Sequence, residues 1–249
     1  MGLPTRIGKK FWMKEVDEWM FEKGQPTMNW FEIVRAEGGY GKDFSEDKEL
    51  DLFTHPGRWF GSGQTDFDLY SEYGYVYSLL FGALQISGQV YRDFAQRSLG
   101  KAINDVGGSI FTAAILLKYG IEAVNISNVS DSPQLEFAQH IIKKFDLPVS
   151  VGSERPDAGC ILSEYLEHFY EPTVELERVL DAVKPKSAVA LSSSFCMPAY
   201  GHFIPIFING AEHATPRAAN KAFINYIEAK GWPLARIGLF NKGYLITGF

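Results

Sequence analysis

From residue 100 onward the apolar positions switch repeatedly between two spacings. KAINDVG (101–107), AVNIS (123–127), PVSVGS (148–153), AGCILSEY (158–165) and AVALSSSF (188–195) are short apolar or alternating runs, which read as strands. Between them lie helical patterns. SIFTAAILLKYG ends at Gly120, SPQLEFAQHIIKKF spans 132–145, PTVELERVLDAV (172–183) has Pro in its first turn, and RAANKAFINYIEAKG covers 217–231. RIGLFN and GYLITGF read as a terminal hairpin about Lys242-Gly243. Strands alternating with helices predict an α/β fold. The expected form is a Rossmann-like doubly wound sheet, mostly parallel, with a C-terminal antiparallel hairpin. In such sheets ligands bind beyond the C-terminal ends of the strands, and the first strand ends in NDVGGS.

The first 98 residues have another texture, dense in aromatics and without strand alternation. FWMKEVDEWMFEKG (11–24) has apolar residues at helical spacing, NWFEIVRAEGG (29–39) reads as a short helix stopped by Gly38-Gly39, and HPGRWFGSGQ (55–64) as a loop. Residues 69–97 read as one or two helices. The pattern divides the chain into a helical cap, 1–98, and a Rossmann-like domain, 99–249. Most of the cap's aromatics, among them Trp19, Trp30, Trp59 and Tyr75, are expected in the core. Tyr73 and Tyr77, four apart and so on one helix face, are candidate substrate contacts. The apolar stretch 73–91 carries Ser78, Gln85, Ser87 and Gln89 and is followed at once by Arg92 and Asp93, which reads as a buried or lid helix and not a membrane span.

Composition narrows the classes. The 249 residues are 46% apolar and 22% charged, the balance of an ordinary globule. A net charge of −6, with no basic run longer than Lys9-Lys10 or Lys143-Lys144, argues against a nucleic-acid partner. Two cysteines, Cys160 and Cys196, make neither a disulfide framework nor a zinc cage. They read as buried free thiols in a reducing, cytoplasmic setting. The N-terminus lacks a continuous apolar run, so no signal peptide is expected. No His, Asp and Glu set has metal-ligand spacing in sequence, so no metal is expected.

Residues 104–111, NDVGGSIF, place an Asp-x-Gly-Gly turn between a strand and a helix, and SEYLEHFYEPTVELERVLDAVKPKS (163–187) places Leu-Glu-His after the fourth strand and Val-Lys-Pro before the fifth. Over about residues 100–249 this resembles the class I S-adenosylmethionine-dependent methyltransferases of small-molecule type, with a degenerate glycine loop. Asp105 and Gly107 match the family's acid and first glycine; Ser109 and Phe111 stand where its second and third glycines would. Where the family has an acid on the cofactor ribose, this chain offers Asn125 and Asn128. A dinucleotide-binding Gly-x-Gly-x-x-Gly and a P-loop are both absent.

The resemblance implies S-adenosylmethionine as cofactor, held by Asp105, Gly107, Gly108, Ser109, Asn125, Asn128, Glu154 and Glu164. It implies catalytic roles for His168, Glu167 and His202, with His168 suited to take a proton near neutral pH. Acceptor contacts are expected from Tyr73, Tyr77, Tyr200 and His202. The implied reaction is methyl transfer to O, N or C of a small acceptor. The alternative is the same fold without methyl transfer, used for binding or for a cyclisation or elimination. A small-molecule acceptor is the expected partner, with no nucleic acid and no membrane. A homodimer is compatible with the sequence, which does not fix the oligomeric state.

Overall fold

In the computed structural model, residues 8–25, 27, 73, 75–84, 86–97, 100–183, 188–197, 202–237 and 243–249 are described. The readings at 29–39 and 55–64 lie outside them, as do Trp30, Trp59 and Tyr200. Three helices come first: α1 (Lys9–Glu22), α2 (Tyr75–Leu84) and α3 (Ile86–Ala95). Then follow β1 (Ala102–Val106), α4 (Ile110–Lys118), β2 (Ala123–Ser127), α5 (Pro133–Phe145), β3 (Val149–Val151) and β4 (Gly159–Ser163). A 3-10 turn at Leu166–His168 leads into α6 (Pro172–Ala182) and β5 (Val189–Ser192). The chain closes with β6 (Ile206–Ile208), β7 (Ala211–His213), α7 (Pro216–Ala229), β8 (Leu234–Ile237) and β9 (Gly243–Ile246).

Seven strands form one sheet in the order β3-β2-β1-β4-β5-β9-β8. The first five are parallel, while β9 pairs antiparallel with both β5 and β8. This is the expected doubly wound sheet with its antiparallel C-terminal hairpin. The period-2 strand pattern splits the core into two layers. On one face Ile103, Ile126, Ile161 and Ala190 pack with α1–α5. On the other, Val106, Cys160, Leu162 and Leu191 pack with Leu176 and Val179 of α6 and Phe223 and Ile227 of α7. Both cysteines are free and buried, as the sequence predicts.

The helices before residue 98 belong to the first layer. Trp12 of α1 meets the Phe111 ring edge-on at 4.9 Å, and Trp19 packs against Phe137 of α5 at 5.1 Å. Phe111, where the family pattern has glycine, is therefore a core side chain, 2% exposed. A second, two-stranded sheet is formed by β6 and β7. Its turn is Asn209-Gly210, both residues at positive φ. That dipeptide favours two-residue hairpins because each position tolerates left-handed backbone.

Candidate functional site

A cleft of about 1110 Å3 opens at the C-terminal ends of the parallel strands. Gly107 after β1, Ser127 and Asn128 at β2, and Ser153 and Glu154 after β3 form one side. Glu164, Tyr165 and His168 after β4, with Phe203, form the other. The place is the one that sheet topology predicts.

The glycine turn is fixed by two close approaches. Gly107 has φ +72°, and a Cβ there would lie 2.3 Å from the Tyr165 ring. A Cβ on Gly108 would lie 2.0 Å from the Asp105 carboxyl. Asp105 itself is buried and accepts hydrogen bonds from Tyr91 Oη (2.7 Å) and Thr112 Oγ1 (2.7 Å). Burial pushes its carboxyl up to about 7, against the pull of those two donors. Ser109 caps α4. Its Oγ accepts from Thr112 N at 3.4 Å while Thr112 Oγ1 accepts from Ser109 N at 2.8 Å. The departure from the family's glycine is thus a capping box, which satisfies two helix-end amides at once.

Asn128 lines the cleft, and its amide holds the turn by donating to Gly108 O (2.8 Å) and accepting from Val129 N (2.7 Å). Asn125 does not line it. It is 4% exposed inside the sheet and donates to Ser153 O (2.9 Å) and Asn104 Oδ1 (3.2 Å), while its Oδ1 accepts from Ser150 Oγ. Asn104, also buried, exchanges two bonds of 2.8 Å with the Arg155 backbone. Together the two amides tie β1, β2 and the loop after β3.

Glu154 lines the cleft as part of a chain of polar groups. It accepts from Ser127 Oγ at 3.2 Å and from Arg178 at 2.8 Å; Arg178 also grips Glu175, which accepts from Tyr165 Oη at 2.8 Å. Burial would raise the Glu154 carboxyl, but the Arg178 guanidinium beside it brings the net shift below the usual range. Sequence reading missed Arg178 and Tyr165. Both follow the fourth strand, and nothing in their spacing marks them.

Past β4 the three expected residues divide. Glu164, at φ +52° and exposed, and half-buried His168 line the cleft. Glu167 does not face it. It is fully buried and accepts from Ser194 N at 3.1 Å. Burial, and then the neighbouring Glu164 charge, push its carboxyl well above the usual range. His202 lies behind His168, ring edge to face at 4.9 Å, with its Nε2 4.0 Å from Glu167 Oε1. Burial lowers the His202 imidazole below its ordinary value. The loop after β5 is anchored here, since Phe203 N donates to Glu167 O at 3.1 Å.

The two tyrosines of the N-terminal half are placed apart. Tyr73 precedes α2, so the pair does not share a helix face; its Oη reaches Glu136 at 3.4 Å. Tyr77 is 1% exposed and donates to Asp17, away from the cleft lining. Tyr75 lines the cleft instead. Among the described residues no helix is long and apolar enough to cross a membrane.

No protein-family model and no curated protein matches the chain. Solved structures do. PigF with SAH aligns at 13% identity and a TM-score of 0.51, over 88% of this chain and 68% of that one. NcsB1, an O-methyltransferase from neocarzinostatin biosynthesis in complex with S-adenosylmethionine and 2-hydroxy-5-methyl naphthoic acid, aligns at 15% and 0.50, over 81% and 67%. At these identities the likeness is one of architecture: the chain has the fold of the class I S-adenosylmethionine-dependent methyltransferases.

Proposed function

We propose that this chain binds S-adenosylmethionine and transfers its methyl group to a small acceptor. The observation that carries this reading is the cleft itself. It joins the Gly107 turn, Asn128 and Glu154 on the cofactor side to His168 and Phe203 on the other, at the strand ends where this fold binds ligands. Methyl transfer is a direct displacement, so the protein's main work is to hold donor and acceptor in line. Gly107, Asn128, Ser153, Glu154 and Glu164 are the assigned cofactor contacts. Asp105, Gly108 and Ser109 shape the turn beneath, and Asn125 holds the loop after β3. His168, which lines the cleft with His202 packed behind it, is assigned to take the acceptor proton. Tyr75 brings α2 to the cleft wall, which supports the reading of the N-terminal helices as a cap.

Isothermal titration tests the reading. Both S-adenosylmethionine and S-adenosylhomocysteine are expected to bind; absence of heat for either at millimolar ligand overturns it. A second reading is favoured by Tyr165, whose ring lies against Gly107. In it the fold persists without methyl transfer, or serves a cyclisation or elimination. Binding of the cofactor with no labelled methyl passing to any of a panel of phenols, amines and carbon acids would select it.

A further inference from the structure

Among the described residues, five buried side-chain polar atoms have no hydrogen-bond partner. Four of them gather at one end of the sheet: Ser163 Oγ closing β4, Glu167 Oε2 in the turn after it, Ser193 Oγ just past β5, and His202 Nδ1 in the segment that follows. Buried polar atoms are almost always satisfied, and Glu167 and His202, which carry two of the four, stand together, His202 Nε2 lying 4.0 Å from Glu167 Oε1. The same place supplies donors. One carboxylate oxygen each from Glu164 and Glu167 and one imidazole nitrogen of His202 lie within 4.8 Å of one another.

We propose that Glu164, Glu167 and His202 form a binding site for a divalent transition-metal ion. Three points no more than 4.8 Å apart fit within a circle of radius about 2.8 Å. Zinc holds carboxylate and imidazole donors at roughly 2.0–2.2 Å, so shifts of less than about 1 Å complete the site. Two hard oxygens with one imidazole suit Zn2+ or Mn2+ better than Ca2+ or Mg2+, which prefer oxygen alone. His202 and Glu167 are buried, 8% and 0% exposed, so both would meet the ion already stripped of water. Glu164 belongs to the cleft wall, which leaves the ion's remaining positions to water or to an oxygen of a molecule in the cleft. The ligands come from 164, 167 and 202, two in one turn and the third beyond β5, a spacing that no sequence motif displays. The site does not depend on the methyl-transfer reading.

Zn2+ and Mn2+ are titrated separately into the chelator-treated full chain by calorimetry, and Mn2+ binding is read independently from loss of its free-ion paramagnetic signal. One equivalent of at least one ion is expected to bind, and to raise the melting temperature. Glu164→Gln and His202→Asn are each expected to abolish this, while His213→Asn leaves it intact. The Glu164 side chain is exposed, so its variant is expected to melt like the wild type without metal and to keep the test decisive. No binding of either ion to the wild type overturns the proposal, as does binding that survives both Glu164→Gln and His202→Asn; water then satisfies the four atoms. S-adenosylhomocysteine titrated in chelator reports on the cofactor reading separately.

Discussion

The two ends of the cleft floor are built in opposite ways. Around β1 and β2, Asn104, Asn125, Asn128, Asp105 and Ser109 all have partners inside the chain. One orphan atom, Gln134 Oε1, lies nearby on α5. Around β4 and β5 there are four. The first end is scaffold: its polar groups hold the backbone of a turn. The second end keeps unspent hydrogen-bonding capacity in a dry place, where it is costly unless something else uses it.

That contrast can be broken by substitution. The largest effect is expected at Gly108→Ala, since the new Cβ would sit 2.0 Å from a buried carboxyl clamped by Tyr91 and Thr112. A loss of about 3 kcal/mol in urea denaturation is expected, the upper end of overpacking costs. A loss below about 1 kcal/mol would mean that the Asp105 clamp yields.

Next comes a matched pair. Asn125→Asp turns an amide that donates to Ser153 O and Asn104 Oδ1 into a carboxylate facing those acceptors. It should cost about 2 kcal/mol or more. From sequence, the same change looks like a restored ribose contact; in the structure Asn125 does not line the cleft. Glu167→Gln replaces a carboxyl whose charged form burial already disfavours. It should cost only about 0.5 kcal/mol. Equal losses for the two would erase the distinction between scaffold and unspent capacity.

Another effect concerns pH. The Asp105 carboxyl is raised in the fold from 3.8 to about 7. Its stabilising contribution is therefore fully present below pH 3.8 and lost as the pH rises through about 7. Asp105→Asn removes that dependence. The variant is expected to be less stable overall, with a flatter change in urea midpoint between pH 4 and pH 7 than the wild type. An unchanged slope would show that the carboxyl titrates elsewhere. The smallest effect belongs to Ser109→Gly, about 0.3 kcal/mol, because glycine is a tolerable cap. Thermal melting resolves it. A gain in stability would mean that the capping box contributes nothing.

The sheet and its helices were legible because period-2 and period-3.6 patterns are written locally; AVNIS corresponds to β2 residue for residue. The β6–β7 hairpin was also written, in Asn209-Gly210, but its three-residue strands are too short to show alternation. The cleft's position followed from topology. Its polar wiring did not. Arg178 looks like any charged residue on a helix surface, and Tyr91 like one more aromatic in an aromatic-rich half. The direction of Glu167 depends on which way a 3-10 turn faces, which spacing cannot tell. Asn125 was read for its chemistry when its neighbours, one strand to either side, had already claimed it.

The change of pattern near residue 98 invites a cut there, to express the sheet domain by itself. Yet α3 supplies the phenol that donates to Asp105, and its Phe94 packs so closely on β9 that a Cβ on Gly243 would meet the ring at 2.9 Å. A fragment starting at 99 would bare the apolar face that α1 and α3 cover, and leave a buried acid short of one donor. Such a fragment is expected to be recovered in inclusion bodies, and soluble only when the N-terminal helices are supplied alongside it.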